Sequence, residues 1–298
     1  MTVGRAEPET IDIELLRSWP LPEEDGDKSD RGTLLVVGGA RQTTGAVLLA
    51  AETALRAGAG KVQVATAADT AAALAIALPE AYVEALPTLE DGELAVSGAD
   101  RVLELAEGVD VVLVGPGLGS PAGASLLCEH VVPGLDTTVV LDALATAFLT
   151  GNLGGVRHLS GRVVLTPNMT ELAAMLGHDD DDAIEQEELE ACRTVAEASG
   201  AVVLSGADVS HVVTPDQCAW TCSSGPTGLA TAGSGDVKAG LVAALLARGG
   251  EPRQAAVWGA WAHARAGWLL QDREPGYLAR DVARAVPRAL ADVAGLKT

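Results

Sequence analysis

The chain is poor in aromatic rings and in positive charge. Only 3 % of its 298 residues are aromatic, with a single phenylalanine and two tyrosines. Base-stacking platforms and aromatic cages therefore have little to be built from. Lysine and arginine number 20 against 41 aspartates and glutamates, a net charge of −21. That balance excludes nonspecific nucleic-acid binding, because nothing would neutralise the phosphate backbone. Small phosphate-bearing ligands remain admissible if backbone dipoles, a metal or a few local cations hold them. The four cysteines, Cys128, Cys192, Cys218 and Cys222, form no C-x-x-C pair, and no histidines cluster at zinc-finger spacing. They read as buried thiols of a reducing compartment. No run reaches the roughly 18 uninterrupted apolar residues of a membrane span, and the N-terminus lacks a charged start followed by an apolar core. The expectation is a cytoplasmic protein with neither membrane nor nucleic-acid partner.

What is abundant is small and apolar. The hydrophobic share is 48 % and glycines number 34, enough to fill a sizeable core. Short Val/Leu runs recur in "TLLVVGG", "KVQVAT", "VDVVLVGPGLG", "TTVVLDA", "GRVVLTPN" and "GAVVLSG", with helical patterns between them. Continuous apolar runs of this length predict strands buried on both faces. The fold class is therefore α/β, with a largely parallel central sheet covered by helices on both faces. Helices are predicted over 46–57, near 171–176, and over 236–247, 252–270 and 279–294. "HVVTPDQCAWTC" predicts a short antiparallel pair in the C-terminal third, turning at Pro215 and Asp216. The polar stretch after Trp19 reads as a lead-in, which divides the chain into a segment 1–31 and one domain, 32–298.

In such sheets ligands bind at the carboxyl ends of the strands, and four strand ends carry glycine or polar residues. "VVGGARQTTGA" is not G-x-G-x-x-G and is weak as a dinucleotide fingerprint. In "VLVGPGLGSP", Gly115, Gly117 and Gly119 fit a tight turn before a Pro-initiated helix as well as a ligand loop. "LTPNMTE" places Asn168 and Glu171 where a helix cap at Thr170 and Glu171 is one reading, and a hydrated Mg²⁺ beside phosphates is another. The fourth, "GLATAGSGDVKAG", has more glycine than capping by Ser234 or Asp236 requires. Bare backbone at a helix start suits an anion cradle. Asp236, ionised near that positive helix end, would serve as a base for phosphoryl transfer to an alcohol.

Taken in order, "VVGGARQTTGA…LRAGAG", "VGPGLG", "VLDALA", "LTPNMTE", "GLATAGSGDVKAG" and "ARDVARAVPRAL" resemble the ADP/ATP-dependent NAD(P)H-hydrate dehydratase family of the ribokinase-like superfamily, from about Gly32 to Leu290. The resemblance implies repair of hydrated NAD(P)H: ADP or ATP phosphorylates the ring hydroxyl, and phosphate then leaves as the ring nitrogen's lone pair pushes. It implies that Asp236 activates the hydroxyl and that Gly233, Ser234 and Gly235 form an anion hole. Ala46, Gly117, Gly119, Asn168 and Asp236 would border the hydrated nucleotide. Ser205, Gly206, Ala207, Asp208, Val209 and Gly235 would line the adenine nucleotide. Mg²⁺ would sit near Asn168 and Glu171, through water, and the assembly would be a dimer or tetramer.

Three motifs depart from the family pattern. Asn168 stands for its usual histidine in T-P-H-x-G-E, with Thr170 for the glycine; Ser205 stands for the lysine of L-K-G-x-x-T; Leu144 stands for the second aspartate of L-D-A-D-A. Asn168 with Glu171 is similar to the N-x-x-E motif of the superfamily's sugar and vitamin kinases, so a small-alcohol kinase is an alternative. A non-catalytic nucleotide-binding protein is a third. The acidic stretch at His178 reads as a solvated loop and helix start. His263, in a helix where Trp258, Trp261 and Leu269 recur, reads as core packing or a subunit contact.

Overall fold

The computed structural model describes residues 7–22, 31–272 and 276–295. Most of the polar stretch after Trp19 lies outside them. The strands are β1 (Glu9–Thr10), β2 (Thr33–Val37), β3 (Lys61–Ala67), β4 (Tyr82–Leu86), β5 (Val111–Val114), β6 (Thr138–Asp142), β7 (Val163–Thr166), β8 (Val202–Ser205), β9 (Val209–Val213) and β10 (Ala219–Ser223). They form one sheet in the order β1-β10-β9-β8-β7-β6-β5-β2-β3-β4. Every pairing is parallel except those of β9, which runs against both β8 and β10. The expected antiparallel pair is thus β9–β10, joined through Pro215 and Asp216.

The helices are α1 (Ile13–Ser18), α2 (Thr44–Arg56), α3 (Ala68–Ala77), α4 (Ala99–Ala106), α5 (Pro121–Val131), α6 (Met169–Met175), α7 (Glu188–Ser199), α8 (Ser234–Ala247), α9 (Pro252–Gln271) and α10 (Ala279–Ala294). Side chains alternate across a strand, and the alternation sorts the interior into two cores. Leu34, Val36, Val111, Leu113, Val140 and Val164 pack with α2, α8, α9 and α10. Leu35, Val37, Val112, Val114, Val139 and Leu165 pack with α4, α5, α6 and α7. Burial on both faces is what makes the strand sequences uniformly apolar.

Residues 9–19 add an edge to this sheet. Glu9 pairs with Trp220, whose indole Nε1 donates to Glu9 Oε2 at 3.0 Å. Ile11 and Leu16 are buried in the first core, and the Trp19 ring lies 6.0 Å from that of Trp220. Among the described residues no helix is long and apolar enough to cross a membrane.

The chain runs from β2 outward to β3 and β4, then returns to β5 on the other side of β2. This reversal opens a crevice beyond the carboxyl ends of β2 and β5, the place where open α/β sheets bind ligands. The loops there touch backbone to backbone. Gly39 N–H donates to Pro116 O at 2.8 Å and Ala40 N–H to Gly117 O at 2.7 Å.

Candidate active site

The start of α8 is bare in two different ways. Gly233 has φ +90°, and a Cβ there would stand 2.5 Å from Leu49 Cδ1 on α2. Its absence of side chain is demanded by the fold. Gly235 is exposed, and a Cβ there would meet no protein atom within 4 Å. The fold does not require glycine at that position. No side chain caps the helix: Ser234 N–H bonds Thr231 O and Val237 N–H bonds Gly233 O. Among the described residues nothing accepts from the N–H groups of Gly235 and Asp236. The capping role considered for Ser234 and Asp236 is therefore not what they do. α8 begins two residues earlier than the pattern predicted, because Gly233 sets the turn.

Asp236 stands in that first turn, half-buried. Burial, reinforced by the charge of Glu171, pushes its carboxyl up to about 6. The helix end alone predicted an ordinary ionised acid; desolvation outweighs it and makes Asp236 a stronger base. Glu171 opens α6 with Asn168 in a reciprocal box. Asn168 Oδ1 accepts from Glu171 N–H at 2.8 Å, and Glu171 Oε2 accepts from Asn168 N–H at 2.9 Å. The cap is Asn168 rather than Thr170, whose hydroxyl reaches Asp181 instead. Burial raises the Glu171 carboxyl too.

A third acid, not singled out in the sequence, completes the group. Asp142 ends β6, buried, and accepts from Thr166 Oγ1 at 2.7 Å. Burial and the charges of Asp236 and Glu171 hold its carboxyl well above the usual carboxylate range. The residue after it, Ala143, has φ +50°, a conformation that a non-glycine residue adopts at a cost. Leu144, where the family pattern has an acid, packs against the second core. Lys238 on α8 faces Asp142 and Glu171. Among the described residues no three acidic, histidine or cysteine side chains converge to hold a metal ion alone.

The remaining predicted residues share this carboxyl edge. Gly117 (φ +70°) leaves room for Thr43 O and Ala46, which a Cβ would approach to 2.4 and 2.9 Å. Gly119 N–H donates to Glu93 Oε2 at 3.2 Å, a contact the sequence did not announce. Ser205 is fully buried, and its hydroxyl donates to Pro167 O at 2.8 Å. That hydroxyl is committed to the strand ends. Residues 207–209 line a cleft of about 730 Å³ whose other walls are residues 185–190 and His211.

One residue read from sequence as packing lies against the cradle. His263 Nε2 sits 3.0 Å from Ser234 Oγ and 3.1 Å from Ser234 O. A carbonyl can only accept, which assigns the ring proton to Nε2. Burial, then the charge of Lys238, lowers His263 to about 3, so the ring is neutral. It holds Ser234 as an acceptor and leaves the hydroxyl hydrogen to point elsewhere. No sequence spacing signals this, because the two residues lie on different helices.

A largely parallel sheet with a bare helix start and a half-buried acid at its carboxyl edge is an architecture shared with proteins of ribokinase-like fold. A ribokinase-like superfamily protein from Enterococcus faecalis superposes with TM-score 0.80 at 24% identity, covering 96% of each chain. The chain belongs to the NAD(P)H-hydrate dehydratase family, whose model matches residues 34–288. It is 41% identical over 286 residues to an ADP-dependent (S)-NAD(P)H-hydrate dehydratase of Xanthomonas campestris pv. campestris, covering 94% of this chain and 96% of that one. A bifunctional NAD(P)H-hydrate repair enzyme of Moorella thermoacetica is 35% identical over 83% of this chain; that match spans 47% of the longer relative. The ADP/ATP-dependent NAD(P)H-hydrate dehydratase of Bacillus subtilis, co-crystallised with ATP/Mg²⁺, shares the fold with TM-score 0.77 at 24% identity, covering 97% of this chain and all of that one.

Proposed function

We propose that this protein restores hydrated NAD(P)H to NAD(P)H with ADP or ATP as phosphoryl donor. The observation that carries the reading is the pair of unbonded N–H groups at Gly235 and Asp236, beside a carboxylate whose proton affinity burial has raised. The hydrated ring borders Ala46, Gly117, Gly119 and Asn168, along the carboxyl edge that runs from β2 to β7. The adenosine end of the nucleotide occupies the cleft at residues 207–209. That cleft is lined by Glu185, Glu187, Glu188, Glu190 and Asp208, which suit ribose hydroxyls as donors and repel phosphates. The phosphates accordingly point to Gly233, Ser234 and Gly235, at the positive end of α8.

Asp236 takes the proton of the ring hydroxyl as its oxygen bonds the terminal phosphorus, and the phosphorus–oxygen bond to the nucleotide breaks. The ring nitrogen's lone pair then expels the phosphate with its carbon–oxygen bond, and loss of a proton from the neighbouring ring carbon restores the dihydropyridine. The amides of Gly235 and Asp236 hold the charge that develops on the transferring group. The acids present fit a hydrated Mg²⁺ shared with the nucleotide. Asp142, Glu171 and Asp236 repel one another, and the capping box engages only one Glu171 oxygen. The ion, when bound, screens the phosphates' charge; Glu171, and Asn168 through water, would hold it.

The test is recovery of nicotinamide absorbance from hydrated NADH with Mg²⁺ and either nucleotide. Recovery that requires nucleotide is expected, with kcat/KM falling as pH drops through about 6, where Asp236 protonates. Asp236→Asn should lower kcat by at least about a thousandfold, the scale at which losing an essential proton acceptor acts. Turnover of hydrated NADH without nucleotide, or an undiminished Asp236→Asn enzyme, would defeat the reading.

A further inference from the structure

Cations are scarce at this edge. Arg41, on the loop after β2, is engaged by Asp69 at 2.6 Å and by Glu90 O. Lys238 is differently placed. It follows Ser234 by four residues on α8, so the two share a face, and a helical side chain leans back toward the N-terminus. The charge of Lys238 acts on Asp142 and Glu171, the two acids that interact with Asp236, and on His263 beside Ser234. Lys238 is half-buried. The titratable groups that face it come from four elements: Asp142 at the end of β6, Glu171 in α6, Cys222 on β10 and His263 on α9.

Despite these neighbours, among the described residues Lys238 makes no hydrogen bond and no ion pair at contact distance. A lysine serving as a strut for Asp142 and Glu171 would close onto one of them. An ammonium that stands beside acids yet is bonded to none of them is open to an incoming anion, and the burial around it lowers its proton affinity. An anion arriving at the free amides of Gly235 and Asp236 would supply the missing partner. The other nominated side chain cannot substitute, since the Ser205 hydroxyl is buried and bound to Pro167 O.

We propose that Lys238 is the phosphate-binding cation of this site, reaching from α8 to the phosphates of the adenine nucleotide. The assignment rests on the nucleotide reading above and goes beyond it by naming the charge that holds the donor. It also explains how a chain with net charge −21 can hold a polyanion where Ser205 offers no charge: the cation comes from a helix on one face of the sheet, and not from a strand end. Lys238 binds and orients the phosphates; the proton acceptor remains Asp236.

The experiment is calorimetric titration of adenosine, AMP and ADP into the full-length protein and into Lys238→Met and Lys238→Arg variants, with a thermal melt of each. Lys238→Met is expected to weaken ADP about 10- to 100-fold, the scale of a charge-assisted contact, while leaving adenosine unchanged. Lys238→Arg should recover most of the loss. Equal weakening of adenosine and ADP, with a lowered melting temperature, would assign Lys238 a structural role and overturn the proposal. Unchanged ADP affinity in Lys238→Met would overturn it as well. If Lys238→Met does not fold, Lys238→Gln serves under the same criteria. Wild-type protein that binds neither adenosine nor ADP would remove the nucleotide reading itself, a different result from the loss of phosphate discrimination alone.

Discussion

Two glycines two residues apart, Gly233 and Gly235, look alike in sequence and do different work. Gly233 holds φ +90° against Leu49, so Gly233→Ala is expected to cost about 1–3 kcal/mol through backbone strain and the clash. Gly235 has a free space above it, and alanine is the better helix former by about 0.5–1 kcal/mol. Gly235→Ala should therefore melt no lower than the wild type while binding ADP at least about tenfold more weakly, because its methyl occupies the anion's place. Paired melts and titrations check this; a Gly235→Ala protein with full ADP affinity would mean that no anion sits there. The motif and Asp236 were legible in the sequence. The strength of Asp236 as a base was not, since it depends on desolvation and on Glu171, a residue brought near only by folding.

At the scale of elements, α8 is held by neighbours that approach unusually closely. A Cβ at Gly240 would come within 2.3 Å of Ala50 O on α2, and one at Gly259 within 2.5 Å of Val242 Cγ2. Ser234 is clasped from α9 by His263. The helical spacing of Trp258, Trp261 and Leu269 accounted for the face of α9, so nothing in it pointed to a polar bond; only the crossing of two helices reveals it. His263 takes its proton near pH 3 in the folded chain and near 6.5 in the unfolded one. Between those values the unfolded chain binds more protons, so this contribution is whole above about pH 6.5 and drains away as pH falls toward 3. His263→Asn, which can still donate to Ser234 O, is expected to show a shallower fall of melting temperature between pH 6.5 and 4. An unaltered slope would show that the buried ring is not what titrates.

For the molecule as a whole, the parallel sheet was readable because strands covered on both faces lose their polar alternation. The order of the strands was not. Only in the folded chain does β5 return beside β2 and bring Gly38, Gly39, Pro116 and Gly117 together. The edge strand β1 escaped notice because two polar residues, Glu9 and Thr10, carry no apolar pattern. A charge of −21 also acts at this scale: its field opposes the approach of ADP, and salt screens it. The association rate of ADP should rise severalfold between about 10 and 150 mM salt, as stopped-flow mixing would record; a falling rate would mean that local positive charge governs the encounter.

The bond between Glu9 and Trp220 joins residues 211 positions apart. During synthesis β1 must wait for some two hundred further residues to be translated before its partner exists. Its place at the sheet edge lets β2 to β8 assemble meanwhile without it, and leaves β1 to dock after β10 has formed.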